Sequence, residues 1–343
     1  MSSQNLNNIY QCPVTHNDLE FVGTFDSKGK PEKGYYKTTS STEKYLVENG
    51  LPDFCYPNKQ SLPKSDKSSL DWYKNNAAIY DENLPLTFNT FNTDEIKERE
   101  YLVNLLDLKG NETILEFGCG TCRDSELIAK RLKKSAKLYL QDISPEILKI
   151  GINKLKKLKL DPKIEFSIAN AYYLPFPDNF FDRVFHFGGL NTFGDLKRTF
   201  NEIIRVSKKG AKVVIGDENM PTWLRNTDFG KVLMNSNPHY KYNLPLEYLP
   251  IEARNVKLEW IIGGVFYVIT FDVGEGMPHA DIDFQIPGVR GGSHRTRYYG
   301  HLEGVSKEAC DLAVEARKFK NISMYDWLDN VIKEAAKRDL EDV

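Results

Sequence analysis

Cysteine is scarce in this 343-residue sequence: Cys12, Cys55, Cys119, Cys122 and Cys310 are scattered and odd in number. That usage excludes a disulfide scaffold and predicts a reducing, cytoplasmic setting. Net charge is almost absent as well. Lys+Arg 46 against Asp+Glu 48 leaves −2, which supplies no general electrostatic reason to bind nucleic acid or an acidic membrane. No apolar run approaches the ~18 residues that span a bilayer. The polar leader MSSQNLNNIYQ lacks the basic-then-apolar pattern of a secretion signal. Internal repeats and low-complexity tracts are missing too. Aromatic and apolar residues are plentiful, with Phe 19, Tyr 18 and 41% hydrophobic content, so a large core is expected and global disorder is excluded.

Three zones follow from the pattern along the chain. Residues 1–70 read as an irregular segment with short strands (Tyr35–Thr38, Tyr45–Val47) closing in a linker-like LPKSDKSSL. Residues 71–274 alternate strand and helix patterns, which predicts a parallel sheet with crossover helices. Residues 275–343 begin as a Gly/His/Arg-rich loop and end as two helices, Ser306–Lys318 and Ser323–Lys337. Their capping serines and apolar faces read as a helical hairpin for packing or dimerisation, so a monomer or homodimer is expected.

In the middle zone the strands are expected at Thr113–Phe117, Lys137–Gln141, Lys163–Ile168, Asp182–Phe187 and Ala211–Gly216. Val256–Ile262 and Val265–Val273 follow, turning at Gly263-Gly264. Helices are expected at Asp124–Leu132, from Pro145 behind an N-capping Ser144, and at Phe200–Val206. The order (βα)₄β, a further crossover and an antiparallel hairpin predicts an α/β, Rossmann-like mixed seven-stranded sheet with helices on both faces.

The residues with chemistry cluster at strand ends. Glu116-Phe-Gly118-Cys119-Gly120-Thr121 puts two glycines at the end of the first strand, where the backbone must turn sharply and a ligand can approach closely. A dinucleotide fingerprint needs a third glycine where Arg123 stands, so NAD is disfavoured. The acid Glu116 suits a cationic ligand better than a pyrophosphate. A ligand-free strand-to-helix turn would use the same glycines. Asp142 ends the second strand, where a doubly wound sheet presents a carboxylate to a ribose diol, and where a loop acid or helix cap also occurs.

Two further segments share this arrangement: Asn170-Ala171-Tyr-Tyr-Leu174-Pro-Phe-Pro-Asp178-Asn-Phe-Phe-Asp182, and Glu202-Ile-Ile-Arg205-Val206-Ser-Lys-Lys-Gly210. The ordered set resembles the class I S-adenosylmethionine-dependent methyltransferases, in particular the small-molecule branch that includes ubiquinone and menaquinone methyltransferases. Cys122 replaces a third glycine, Asn170 an aspartate, and Ser207–Gly210 a Pro-Gly-Gly turn. The resemblance implies S-adenosylmethionine as cofactor. It places Gly118, Cys119 and Gly120 against the methionine part with Glu116 beneath, and Asp142 on the ribose hydroxyls. Ile143 falls on the adenine face, Asn170 and Ala171 on its edge. Phe187 meets the amino-acid moiety, and Tyr80 lies over the cofactor.

The implied activity is methyl transfer to a small-molecule acceptor. Alternatives are a protein or peptide acceptor, or a non-catalytic S-adenosylmethionine-binding protein with a partner on its C-terminal hairpin. His186, Asn191, His239 and His294 are candidates for proton transfer, and none is assigned as the base. Asn191, His294, Arg295 and Arg297 are candidate substrate contacts. Arg290, Arg295 and Arg297 could grip a carboxylate or phosphate on the acceptor, or clamp the chain's own acids. Cys12, His16 and Cys55 resemble the remnant of a zinc-ribbon leader with too few ligands, so no metal is expected. The lysines of GINKLKKLKL face away from an apolar stripe and read as a solvated helix face, so neither nucleic acid nor membrane is an expected partner.

Overall fold

The computed structural model describes residues 9–38, 43–287, 289, 291–299 and 305–341. Two compact units divide the chain, residues 1–278 and 279–343.

The first unit opens with an antiparallel sheet of β1 (Glu20–Phe25), β2 (Pro31–Lys37), β3 (Lys44–Glu48) and the two-residue β4 (Leu51–Pro52). Three helices follow: α1 (Lys64–Asn83), α2 (Pro85–Thr90) and α3 (Glu95–Asn104). The stretch expected as a linker is therefore the start of α1. It contains neither Gly nor Pro beyond Pro63, which stands just before the first helical turn, as proline allows. Next come β5 (Thr113–Phe117), α4 (Arg123–Lys130), β6 (Lys137–Asp142), α5 (Pro145–Leu155), β7 (Lys163–Ile168) and β8 (Phe181–Phe187). Between β7 and β8 runs a loop rather than the expected fourth helix. Pro175 and Pro177 stand in that segment, and proline breaks helix interiors. After α6 (Leu196–Val206) come β9 (Ser207–Glu218), α7 (Asp228–Ser236), β10 (Ala253–Ile261) and β11 (Phe266–Val273). Ser207–Gly210, expected as a turn, begins β9, and the β8–β9 register shifts beside it.

The large sheet has the order β10-β11-β9-β8-β5-β6-β7, parallel from β9 to β7, with β11 and β10 antiparallel. The seven-stranded mixed α/β sheet read from the sequence is thus present. One face packs on α3, α4 and α5 through Leu102, Val103, Ile128 and Leu148. The other packs on α6 through Phe200 and Ile203, and on the N-terminal sheet through Tyr36, Tyr45, Val47 and Phe54. Connections leave β5 and β8 in opposite directions across the sheet. A ligand crevice is therefore set at the carboxyl ends of these two neighbours.

The second unit contains α8 (His294–Tyr299), α9 (Lys307–Phe319) and α10 (Met324–Glu341). Ser306 caps α9, its Oγ accepting from Ala309 N–H at 3.2 Å, and α9 packs against α10 as the expected helical hairpin. Part of the basic loop is helical, as α8; Gly288, Arg290 and Gly300 lie outside the described residues. No described helix is long and apolar enough to cross a membrane.

Candidate functional site

The turn after β5 is made by backbone that only glycine adopts cheaply. Gly118 and Gly120 have φ of 59° and 53°. Cys119 donates its N–H to the Gln141 carbonyl at 3.0 Å, which ties the turn to β6. Asp142 then closes it: Gly120 N–H reaches its Oδ2 and Ser144 N–H its Oδ1, each at 2.9 Å. Burial pushes the Asp142 carboxyl up to about 6, against the opposing pull of the Ser144 and Gly120 hydrogen bonds. Glu116 lies at the same end of the sheet, buried, with no hydrogen-bond partner for its Oε2. Burial, then the nearby Asp124 and Cys122, hold its carboxyl well above the usual range.

At the end of β8, His186 is locked in the core. Its Nδ1 lies 2.7 Å from the Phe117 carbonyl and its ring stacks on Phe117 at 4.7 Å. A carbonyl only accepts, so Nδ1 carries the proton and Nε2 presents a bare lone pair that finds no partner. Burial lowers this histidine to about 4. The chain leaves β8 at Phe187 through Gly188 and Gly189, both at positive φ. Asp217, near the end of β9, gathers three backbone N–H groups: Gly189 at 3.1 Å, Asn191 at 2.6 Å and Glu218 at 2.8 Å. Burial and the adjacent Glu218 nevertheless raise it to about 7. Asn191 is spent on structure, donating Nδ2 to the Glu218 carbonyl at 2.7 Å and accepting from the Tyr267 hydroxyl at 3.3 Å. His239 meets Glu218 Oε2 through Nδ1 at 3.2 Å, and that hydrogen bond raises its pKa. Since a carboxylate accepts, the neutral form of this half-exposed ring carries its proton on Nδ1 and leaves Nε2 bare. Of the four proton-transfer candidates, His239 alone combines a carboxylate partner with exposure; His294 belongs to α8 of the second unit.

The crevice is roofed by α1. Burial raises the hydroxyls of Tyr73 and Tyr80, the latter to about 12, and both feel the charges of Asp142 and Asp217. The helix itself is bonded to the turn after β5 and to α5 through Asp81, and to the loop after β8 through Asp66. Ile143 follows Asp142 and is partly exposed. Asn170 and Ala171, just past β7, are buried. The Asn170 Oδ1 accepts from Tyr172 N–H at 3.3 Å, while its Nδ2 has no partner.

Several residues here went unread in the sequence. Arg99 of α3 is buried and bridges Glu95 at 2.8 Å and Asp124 at 2.6 Å. Asp81 of α1 meets the turn after β5. Asp217 had a readable signal, an acid at the carboxyl end of a parallel strand. Glu202 and Arg205, known from the sequence only as part of a pattern, form a clamp. Glu202 accepts from Leu174 N–H at 2.9 Å. Arg205 donates to the carbonyls of Leu174 at 3.0 Å and Phe176 at 2.6 Å.

In the second unit, Arg295 pairs with Asp283 at 2.8 Å and Arg297 donates to the Gly291 carbonyl at 3.1 and 2.9 Å. Both guanidinium groups are engaged by the chain itself. Among the described residues no cluster of three or more His, Cys, Asp or Glu is arranged to hold a metal ion. Cys12 instead shares a hydrogen bond with the Tyr45 hydroxyl at 3.2 Å.

Residues 108–260 match a family described as methyltransferase domain. A demethylmenaquinone methyltransferase of Bacillus mycoides is 31% identical over 148 residues, covering 43% of this chain and 60% of the relative. One from a Geobacillus species is 32% identical over 127 residues, covering 37% of this chain and 54% of the relative. The chain thus spans little more than half the length of these curated relatives. Among solved structures, phosphoethanolamine N-methyltransferase 2 of Haemonchus contortus in complex with S-adenosyl-L-methionine superimposes with a TM-score of 0.48 at 13% identity. That match covers 68% of this chain and 63% of the other, and the likeness is too slight to carry an assignment.

Proposed function

We propose that this protein, whose residues 108–260 match a methyltransferase domain, is a class I S-adenosylmethionine-dependent methyltransferase that transfers a methyl group from S-adenosylmethionine to a small-molecule acceptor. The observation that carries the reading is the Gly118–Gly120 turn latched to Asp142. It sets a glycine cradle and a ribose-ready carboxylate on adjacent strand ends.

The chain's own groups fit that cofactor. Glu116 lies buried under the cradle with its Oε2 unpartnered, and its raised carboxyl would be drawn to ionise by a cationic ligand. Asp142 retains lone pairs for a pair of hydroxyl donors. The unpartnered Asn170 Nδ2 offers a hydrogen bond to a ring nitrogen of adenine rather than to its amine. Ile143 and Ala171 supply apolar contact, Phe187 its backbone, and Tyr80 cover from above. When bound, S-adenosylmethionine supplies a methyl group already activated on a sulfonium. The protein's part is then orientation and exclusion of water. Where the acceptor must lose a proton, the Nε2 of His239 is the available acceptor, with Glu218 holding its tautomer.

The acceptor's class is supported by the names of the matched relatives, which act on demethylmenaquinone. An anionic acceptor gripped by Arg295 would first have to displace Asp283. Free cysteines throughout suit a reducing, cytoplasmic compartment, and neither nucleic acid nor membrane is needed. Calorimetry with S-adenosylhomocysteine tests the cofactor. Transfer of radiolabelled methyl to a panel of small acceptors, demethylmenaquinone included, tests the reaction. Absence of S-adenosylhomocysteine binding by the folded protein overturns the reading.

A further inference from the structure

Asp81 sits in the last turn of α1, next to Tyr80, and four bonds converge on it. Its Oδ1 accepts from the Thr121 hydroxyl at 2.6 Å, from Lys154 Nζ at 2.6 Å and from Arg123 Nε at 3.1 Å. The Arg123 Nη2 also donates to the Asp81 backbone carbonyl. Arg123 extends the assembly to α3, its Nη1 reaching Glu95 Oε1 at 3.0 Å and Oε2 at 3.2 Å.

The placement of these partners is informative. Thr121 and Arg123 flank Cys122 in the turn that carries Gly118 and Gly120. Lys154 belongs to α5, the helix launched directly after Asp142. While the cradle itself is closed independently by Asp142 and the Gln141 carbonyl, a single carboxylate on the roof is therefore bonded to both neighbouring segments. Burial raises its pKa, but Lys154, Thr121 and Arg123 outweigh burial and keep it below the usual carboxylate range, so it is charged at neutral pH. The far end of α1 is fastened separately. Asp66 accepts from Gly194 N–H at 3.1 Å and from the Tyr172 hydroxyl. Between the two fastenings lie Tyr73 and Tyr80, whose rings meet edge-on at 5.4 Å.

A roof fixed at both ends over the crevice restricts passage of a molecule as large as a nucleoside. We propose that Asp81 is the latch of a cofactor lid: it positions α1 over the site, and its release from Thr121, Arg123 and Lys154 gates entry and exit of the cofactor. This rests on the reading of the crevice as the S-adenosylmethionine site. The latch bonds join protein to protein and are complete without ligand, so they stabilise the closed roof in the empty and occupied protein alike. Weakening them should speed both directions of exchange while leaving affinity nearly unchanged. A residue that merely supports the shape of the site has a different signature, since its loss raises the dissociation rate alone.

The test is stopped-flow binding of S-adenosylhomocysteine, followed by the fluorescence of Trp72, whose ring packs against Tyr73 and Tyr80. Wild type is compared with Asp81→Asn and Lys154→Met, with melting curves to confirm folding. Asp81→Asn is expected to raise the association and dissociation rates together, by about tenfold, with the Kd within about twofold of wild type. Lys154→Met should move both rates the same way by less. Hydrogen exchange should show lost protection in α1 and none in β5 or β6. If Asp81→Asn binds no faster than wild type while the wild type binds normally, the latch is refuted and the cofactor reading stands. If wild type itself does not bind, both fall. Should Asp81→Asn fail to fold, Lys154→Met decides by the same criterion.

Discussion

A Cβ added to Gly118 would lie 2.8 Å from Cε1 and 2.9 Å from Nδ1 of His186. The ring cannot retreat, because its Nδ1 is bonded to the Phe117 carbonyl and its face is stacked on Phe117. The cradle and the core histidine are thus fitted to one another. Gly118→Ala should cost at least ~1–2 kcal/mol from its left-handed backbone alone, with the displaced ring adding to that. Denaturant unfolding of the variant measures the loss. A variant as stable as wild type would show that the ring has room to move.

Asp142 yields a prediction in mutation and in pH. Replacing it with alanine removes two charge-assisted acceptors and should weaken S-adenosylmethionine by roughly 2–4 kcal/mol. Its carboxyl titrates at about 6 in the free protein, and hydroxyl donors favour the ionised form. Affinity should therefore fall as pH drops through about 6. At pH 5 only about one site in ten is ionised, so the Kd should rise about tenfold, with proton release on binding. Calorimetry at pH 5 and 7.5 in buffers of different ionisation enthalpy reads both effects. An affinity flat across that range would sink the assignment.

His186 carries an acid-stability signature. Its folded pKa of about 4 lies below the 6.5 of a free imidazole, so the unfolded chain binds the proton more readily between those values. The neutral ring contributes stability that is fully present above pH 6.5 and is lost as pH falls towards 4, about 3 kcal/mol in all at 1.36 kcal/mol per unit. Asp142 and Asp217, raised to about 6 and about 7, act oppositely in the same window, since their protonated forms are favoured by folding. The difference between wild type and His186→Gln isolates the histidine: the variant's stability should fall less on acidification from pH 6.5 to 4.

Arg205→Ala should be severe. It strips Glu202 of its cation while that carboxylate remains buried, and leaves the carbonyls of Leu174 and Phe176 without their donor. Breaking a buried pair from one side costs about 3–5 kcal/mol. Urea unfolding checks the magnitude, and weakened S-adenosylhomocysteine binding should accompany it because Asn170 begins the clamped loop.

How far the sequence reaches is clear from these same residues. The apolar runs at Thr113–Phe117 and Lys163–Ile168 are strands at those positions, and Ser144 and Ser306 cap the helices they precede. Apolar periodicity and capping are local properties. The clustering of Gly118, Gly120 and Asp142 is legible too, because a doubly wound sheet brings successive strand ends together. The roof is different. Helix α1 has only two buried residues and no strong apolar stripe, and it is held by ionic contacts to residues about 40 to 70 positions away. No periodicity announces such partners. His186 could be read from its alternating strand as a packed histidine; the stacking on Phe117 and the meeting with Gly118 required the fold.

The small N-terminal sheet also bears on solubility. Asp53 bridges to Ile168, Phe54 N–H reaches the Ile168 carbonyl at 2.7 Å, and Lys30 pairs with Glu165 at 3.2 Å, all on β7. β7 is the outermost strand on that side of the large sheet, and an uncovered parallel edge is a template for pairing with another chain. The opposite margin, β10, is interrupted by a register shift between Arg254 and Lys257 and carries charged side chains. Each border of the sheet is thus blunted by its own device, one by a strap of folded chain and one by a kink with lysine and arginine. The N-terminal segment accordingly covers the edge at which a second chain would otherwise pair.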